Sequence, residues 1–205
     1  MERLIGIAFK DFALLAADKT LAHSIIAVKH DEQKIVRLDS HLVLGVGGEA
    51  GDTKQFAEFI AKNVALYRMR NGFPLDPKSA AHFVRRNLAE SLRSRSAYAV
   101  NCLLLGFDSL SGKPQLFYLD HLATGIPLPF ARHGYPAYFG TSVLDKNYRE
   151  DATRDEALAL LRQVVQEIQK RLILSLPTFQ VVLVDRDGVH QLPDLILDPS
   201  KTITV

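Results

Sequence analysis

Residues 1–20 read MERLIGIAFKDFALLAADKT. Residues 4–9 and 12–17 are two short apolar runs joined at Lys10-Asp11, and they predict a β-hairpin that begins almost at the first residue. Asp18 closes the second run. Strands that are apolar at nearly every position have no face suited to water, so the sheet they build must be covered on both sides.

Working outward, residues 24–28 and 34–38 are shorter β-rich pieces separated by the charged turn His30-Asp31-Glu32. Residues 41–46 form a near-continuous apolar run that suits a strand buried on both faces. The period then changes. Phe56, Phe59, Ile60, Val64 and Tyr67 share one helical face, and this helix stops near Asn71-Gly72. Asp76-Pro77 opens a second helix, with the Asp placed to cap and the Pro in the first turn. Its apolar stripe is Ala81, Val84, Leu88 and Leu92, and the short connection predicts an antiparallel helix layer. Strands return at 99–107 and 115–120, with Gly112 and Pro114 as breakers in the turn between them. A further strand is expected at 135–139. Thr153-Arg154-Asp155-Glu156 is a capping box. The helix it starts carries Leu158, Leu161, Val165, Ile168 and Leu172 and ends before Pro177. Residues 179–184 read as a last strong strand, followed by the hairpin turn Asp185-Arg186-Asp187-Gly188.

The order is strands, two helices, strands, helix, strand. That is not the strict alternation of a doubly wound parallel sheet. It predicts an α+β fold with two mostly antiparallel sheets face to face and helices on the outer faces. The chain's 205 residues, without repeat or linker, suit a single domain.

Composition narrows the function. With 25 basic and 23 acidic residues the formal net charge is only +2, a weak field for attracting nucleic acid. No apolar run is long enough to span a membrane, and Glu2-Arg3 after Met1 do not begin a secretory leader. Cys102, the one cysteine, lies in an apolar run and reads as a buried thiol. A reducing compartment, cytosol or nucleus, is expected.

Gly45-Val46-Gly47-Gly48-Glu49-Ala50 matches the G-x-G-x-x-A dinucleotide fingerprint. That chemistry needs a second strand with an acidic residue about 20 residues on, and here the chain is still helical and basic. The glycines are read as a tight strand-to-helix corner instead. Arg68, Arg70, Arg85, Arg86, Arg93 and Arg95 concentrate on the helix pair, but acids are interleaved and no aromatic series accompanies them. A solvated or subunit-facing layer fits better than a nucleic-acid surface. His23 and His30 lack ligand spacing for a metal, and no cofactor motif is present. Asp18 and Lys34 sit at the edges of β runs. A carboxylate beside an ammonium can tune a nucleophile, or can be a structural ion pair; the spacing favours the ion pair.

Four stretches carry a resemblance: MERLIGIAFKDFALLAADKT, LGVGGEAGDTKQFAEFIAKNVALYRMRNG, RRNLAESLRSR and QKRLILSLPTFQVVLVDRDGVH. Together they resemble the 20S proteasome beta-subunit family, in particular the type 2 members at the fourth beta position of the ring, over essentially the whole chain. The resemblance implies a four-layer αββα sandwich of the N-terminal-nucleophile hydrolase type. Active relatives expose an N-terminal Thr by autolysis. Its hydroxyl attacks the peptide carbonyl, with its own amine as base. An Asp and a Lys adjust the electrostatics, and a Ser and a second Asp complete the site. In this sequence the first Asp and the Lys match Asp18 and Lys34. The nucleophile position falls on Glu2 after Met1, Tyr135 replaces the Ser, and Leu172 replaces the second Asp. Ser175 keeps one accessory hydroxyl.

The resemblance therefore implies a non-catalytic structural subunit, with Asp18 and Lys34 as remnants and no residue in a catalytic role. Its partners are expected to be neighbouring beta subunits, alpha-ring subunits, the opposite beta ring and assembly chaperones, in cytoplasm and nucleus. Residues 192–205 are expected to form a tail packed on the particle, and the fold is expected to begin at residue 1 with nothing to cleave away. The rival expectation is an active hydrolase using Asp18 and Lys34 with another nucleophile, Thr20 or Ser24.

Overall fold

The computed structural model describes residues 3–23, 26–134, 136–171 and 178–197. The hairpin read from residues 1–20 is present: β1 (Arg3–Ala8) and β2 (Phe12–Asp18) pair antiparallel, with Leu4 opposite Ala17. β3 (Leu21–His23) and β4 (Ile26–Lys29) form a separate two-stranded ribbon, where the sequence suggested one strand at 24–28. β5 (Ile35–Asp39) and β6 (Leu42–Gly48) lead into α1 (Ala50–Asn71) and α2 (Pro77–Ser91). β7 (Val100–Asp108), β8 (Lys113–Leu119), β9 (Gly125–Pro127) and β10 (Phe130–Gly134) follow. Next come α3 (Pro136–Phe139), α4 (Thr141–Asn147) and α5 (Arg154–Arg171), and then β11 (Thr178–Asp185) and β12 (Gly188–Ile196).

The strands build two antiparallel five-stranded sheets, ordered β10-β1-β2-β11-β12 and β5-β6-β7-β8-β9. Strand alternation sorts their side chains into three apolar layers. Ala13, Leu15, Ala17, Val182 and Val184 of the first sheet meet Val43, Leu103, Leu105 and Leu116 of the second in the central layer. Ile5, Ile7, Leu14, Ala16, Val181 and Leu183 point the other way, onto Leu144 of α4 and Ala157, Leu161, Val164 and Ile168 of α5. Leu42, Leu44, Cys102 and Leu104 pack beneath Phe56, Ile60 and Val64 of α1 and Val84 and Leu88 of α2. The result is helices, sheet, sheet, helices. This is the four-layer αββα sandwich of the N-terminal-nucleophile hydrolase type.

Local signals explain the helix ends. Asp76 accepts a hydrogen bond from the Ser79 N–H at 2.9 Å, with Pro77 at the first helical position. Thr153 and Glu156 close the capping box, with Thr153 N–H donating to Glu156 Oε2 at 2.8 Å and Glu156 N–H lying 3.4 Å from Thr153 Oγ1. Gly48, at the corner between β6 and α1, has φ +144, and a Cβ there would stand 1.9 Å from the Ala99 carbonyl oxygen.

Several expectations are corrected. The strand expected at 135–139 is helix α3 from Pro136 onward, and Tyr135 lies outside the described residues. Gly134, at φ +76, ends β10, and Pro136 has the fixed φ that suits a first helical turn. Phe59 and Leu92, counted in the apolar faces of α1 and α2, are 44% and 41% exposed. Pro114 lies inside β8 opposite Phe107 rather than in the turn. The segment from Leu192 is, through Ile196, the second half of β12 in this chain's own sheet. Leu172 and residues 198–205 lie outside the described residues.

Candidate functional site

β1 and β2 run antiparallel, so the N-terminal end of β1 and the Asp18 end of β2 lie at the same end of the sheet. There the backbone is strapped together. Lys19 N–H donates to Thr178 O at 3.2 Å, Glu32 N–H to Lys19 O at 2.9 Å, and Val46 N–H to Lys34 O at 2.8 Å. These bonds draw residues 32–34 in beside the end of β2. Lys34 Nζ then donates to Asp18 Oδ1 and to the Thr20 carbonyl, both at 2.8 Å. The Asp18 side chain is 1% exposed and that of Lys34 11%. A charge so buried is tolerated because its partner and a backbone carbonyl replace the water it loses. The pairing of Asp18 with Lys34 considered from the sequence is therefore made.

Lys34 also lines a cleft of about 990 Å³, walled by Thr20, Val46, Gly47, Gly48 and Ala57 among others. An ammonium has three N–H donors. Two are used on Asp18 and Thr20, and the third has no protein acceptor among the described residues. Glu32 sits at the rim, 3.3 Å from Lys29 and from Lys54. The hydrogen bond to Glu32, and then that to Asp31, hold the Lys29 ammonium above its ordinary pKa. Thr20 is 4% exposed and meets Lys34 through its carbonyl rather than its hydroxyl.

Met1, Glu2, Ser24, Tyr135, Leu172 and Ser175 lie outside the described residues. Among the described residues no group of three His, Cys, Asp or Glu side chains is placed to hold a metal ion. The glycines of the dinucleotide-like stretch make the corner read from the sequence: β6 pairs with β5 and β7, and α1 is followed by α2 rather than by a strand. Of the six arginines on the helix pair, three are engaged within the chain: Arg68 with Asp39 at 2.6 Å, Arg86 with Glu90 at 2.8 Å, and Arg85 with the Ala123 carbonyl at 3.1 Å.

The sequence reading missed two ties. Lys19 Nζ lies 2.7 Å from Asp194 Oδ2, joining the end of β2 to β12. Asp185 gathers the N–H groups of Asp187 and Gly188, His190 Nε2 at 3.0 Å and Arg154 at 2.7 Å. The Asp185-to-Gly188 turn was legible as a turn, but nothing in its spacing pointed to Arg154.

An αββα sandwich with an Asp–Lys pair at the end of its first hairpin defines a class, that of the N-terminal-nucleophile hydrolase fold. The comparisons narrow it. The family described as proteasome subunit matches residues 3–184. The chain is 40% identical to "Proteasome subunit beta type-4" of Saccharomyces cerevisiae, over 95% of this chain and 98% of the yeast one. It is 41% identical to "Proteasome subunit beta type-2-B" of Arabidopsis thaliana, over 93% of this chain and 95% of the plant one. The chain belongs to the proteasome subunit family and is a beta-type subunit of the 20S core, a multi-subunit assembly.

Proposed function

We propose that this chain is a non-catalytic, architectural beta subunit at the fourth beta position of the ring. In this reading it contacts neighbouring beta subunits, an alpha-ring subunit and the opposite beta ring, and assembly chaperones place it there. It serves ATP- and ubiquitin-dependent degradation by the whole particle, in cytoplasm and nucleus. The observation that carries the reading is at the nucleophile position. Asp18 and Lys34 match the family's electrostatic pair, but the residue matched to the attacking Thr is Glu2, which has neither hydroxyl nor thiol. Two of the three Lys34 N–H donors are taken up within this chain, by Asp18 and by the Thr20 carbonyl. The exposed helix faces, charged and studded with Phe59, Leu66 and Met69, have the mixed character of subunit interfaces.

The test is covalent labelling of the intact particle with a threonine-directed electrophile. This chain is expected to stay unmodified while other beta chains in the same particle react. A labelled residue in this chain would sink the reading. Native mass spectrometry of the same preparation should find one copy of the chain per beta ring, and subcellular fractionation should find the particle in cytosol and nucleus.

A further inference from the structure

Residues 92–97 leave the end of α2 and are exposed throughout. They include Arg93-Ser94-Arg95-Ser96. The helix end tightens into short turns, with Arg93 N–H on Glu90 O at 3.2 Å and Ser94 N–H on Ser91 O at 2.9 Å. The far end is fixed as well: Tyr98 N–H reaches Ser91 Oγ at 3.4 Å, and Ala99 N–H donates to Asp52 Oδ2 at 2.9 Å. The segment is thus a short exposed bow held at both ends.

Its two serines are not equivalent. The Ser94 hydroxyl lies 2.7 Å from Ser91 O and 3.0 Å from Ser96 O, and it accepts the Ser96 N–H at 3.2 Å. It staples the turn from within. The Ser96 hydroxyl makes no hydrogen bond among the described residues. Arg93 precedes Ser96 by three residues and Arg95 precedes it directly. Unlike Arg68 and Arg86, neither forms an ion pair among the described residues.

We propose that Ser96 is a phosphate-acceptor site for a serine kinase with an acidic substrate groove. Such a groove reads arginine through paired hydrogen bonds from its carboxylates to the guanidinium fork, and both arginines are available to it. In the transfer, Ser96 Oγ forms a bond to the γ-phosphorus of a nucleoside triphosphate and the bond from that phosphorus to the β-phosphate bridging oxygen breaks. The hydroxyl proton passes to the kinase's base, and a nucleoside diphosphate leaves. The product phosphate brings close to −2 charges beside two arginines, so a cationic turn becomes neutral at the rim of the α1–α2 layer. The site is independent of whether the chain is catalytic.

The experiment incubates the intact particle with a purified arginine-directed serine kinase and a nucleoside triphosphate, then maps phosphate on this chain by mass spectrometry. One phosphate is expected, on Ser96. Ser96→Ala should abolish it, Ser94→Ala should leave it, and Arg93→Ala should slow incorporation about tenfold by removing a charge-assisted contact. Phosphate on Ser94 or elsewhere in the chain would overturn the proposal. So would an unmodified particle alongside a readily modified synthetic peptide of residues 88–100, because the turn is then covered in the assembly. Recovery of intact particle from each variant keeps this result separate from the architectural reading.

Discussion

Lys34 and Asp18 stand sixteen residues apart in sequence and 2.8 Å apart in space, at the open end of the first hairpin. Breaking such a pair on one side leaves a buried charge unmatched, which costs more than the pair itself contributes. Asp18→Asn and Lys34→Met are each expected to destabilise the folded chain by about 3 kcal/mol. The double variant should recover part of the loss, because both charges leave together. Urea unfolding of the four proteins checks this. If the two single losses simply add in the double variant, the residues are not coupled.

Gly48 and Gly51 sit three residues apart and should respond in opposite ways. At Gly48 the backbone is left-handed, and an added Cβ would stand 1.9 Å from the Ala99 carbonyl oxygen. Gly48→Ala is expected to cost more than about 2 kcal/mol, moving the β6–α1 corner that walls the cleft. Gly51 lies in the first turn of α1, and a Cβ there meets nothing within 4 Å. Gly51→Ala should stabilise by about 0.5–1 kcal/mol. Thermal melts of the two variants read both signs.

His133 makes stability depend on pH. Its ring stacks on Tyr118 at 4.3 Å between centroids, and Nε2 lies 3.0 Å from the Cys102 carbonyl. Burial pulls its pKa down to about 4, against smaller opposing contributions from backbone hydrogen bonds at Cys102 and Leu119. The unfolded chain binds the proton near pH 6.5 and the folded chain resists it until about pH 4. The stabilisation is complete above pH 6.5 and falls as pH drops from there to about 4, by about 3 kcal/mol in all. Urea midpoints across this window should fall in the parent, and fall less in His133→Phe.

What the sequence made legible tracks the range of the interaction responsible. The first hairpin, the Asp76 cap and the Thr153–Glu156 box depend on neighbours a few residues away, and all were readable. The layers followed from alternation along β2 and β7, where each strand feeds two cores. Helix α3 was not legible because the apolar residues of 135–139 suit a strand equally well, and a four-residue helix is too short to show a helical period. Phe59 shares the helical period of the apolar face but stays at its edge, because Phe56, Ala57, Ile60 and Val64 already cover the sheet. At the site, Asp18 and Lys34 were visible as charges at the edges of apolar runs. Lys19–Asp194 was not, because 175 residues separate its partners and no local pattern links them.

Ala123 is the one described non-glycine residue with positive φ, at +62. It stands in the turn after β8, where its N–H donates to Asp120 O at 3.0 Å and its carbonyl accepts from Arg85 Nε at 3.1 Å. A side chain in the left-handed region costs on the order of 1 kcal/mol that glycine does not pay. Ala123→Gly is therefore expected to raise stability by about 1 kcal/mol, less what its methyl contributes against the α2 core. A lowered melting temperature would show that the methyl contact outweighs the strain.

Truncation after Asp194 separates a tail from a strand. A tail lying on a neighbour would leave the folded chain intact and weaken only assembly. Here Phe179 pairs with Leu195 and Thr178 with Ile196, so the cut removes the end of the β11–β12 ladder. It also removes Leu195, 9% exposed, and Leu197, 5% exposed, from the layer under α5. Losing two buried leucines costs on the order of 4 kcal/mol or more, a large share of the stability of a single domain. The truncated chain is expected to unfold at markedly lower urea concentration before any partner is added. The milder Leu195→Ala should lose about 2–3 kcal/mol by the same route. If either variant kept the parent's unfolding midpoint and failed only to enter the particle, the second half of β12 would be an interface element first and a core element second.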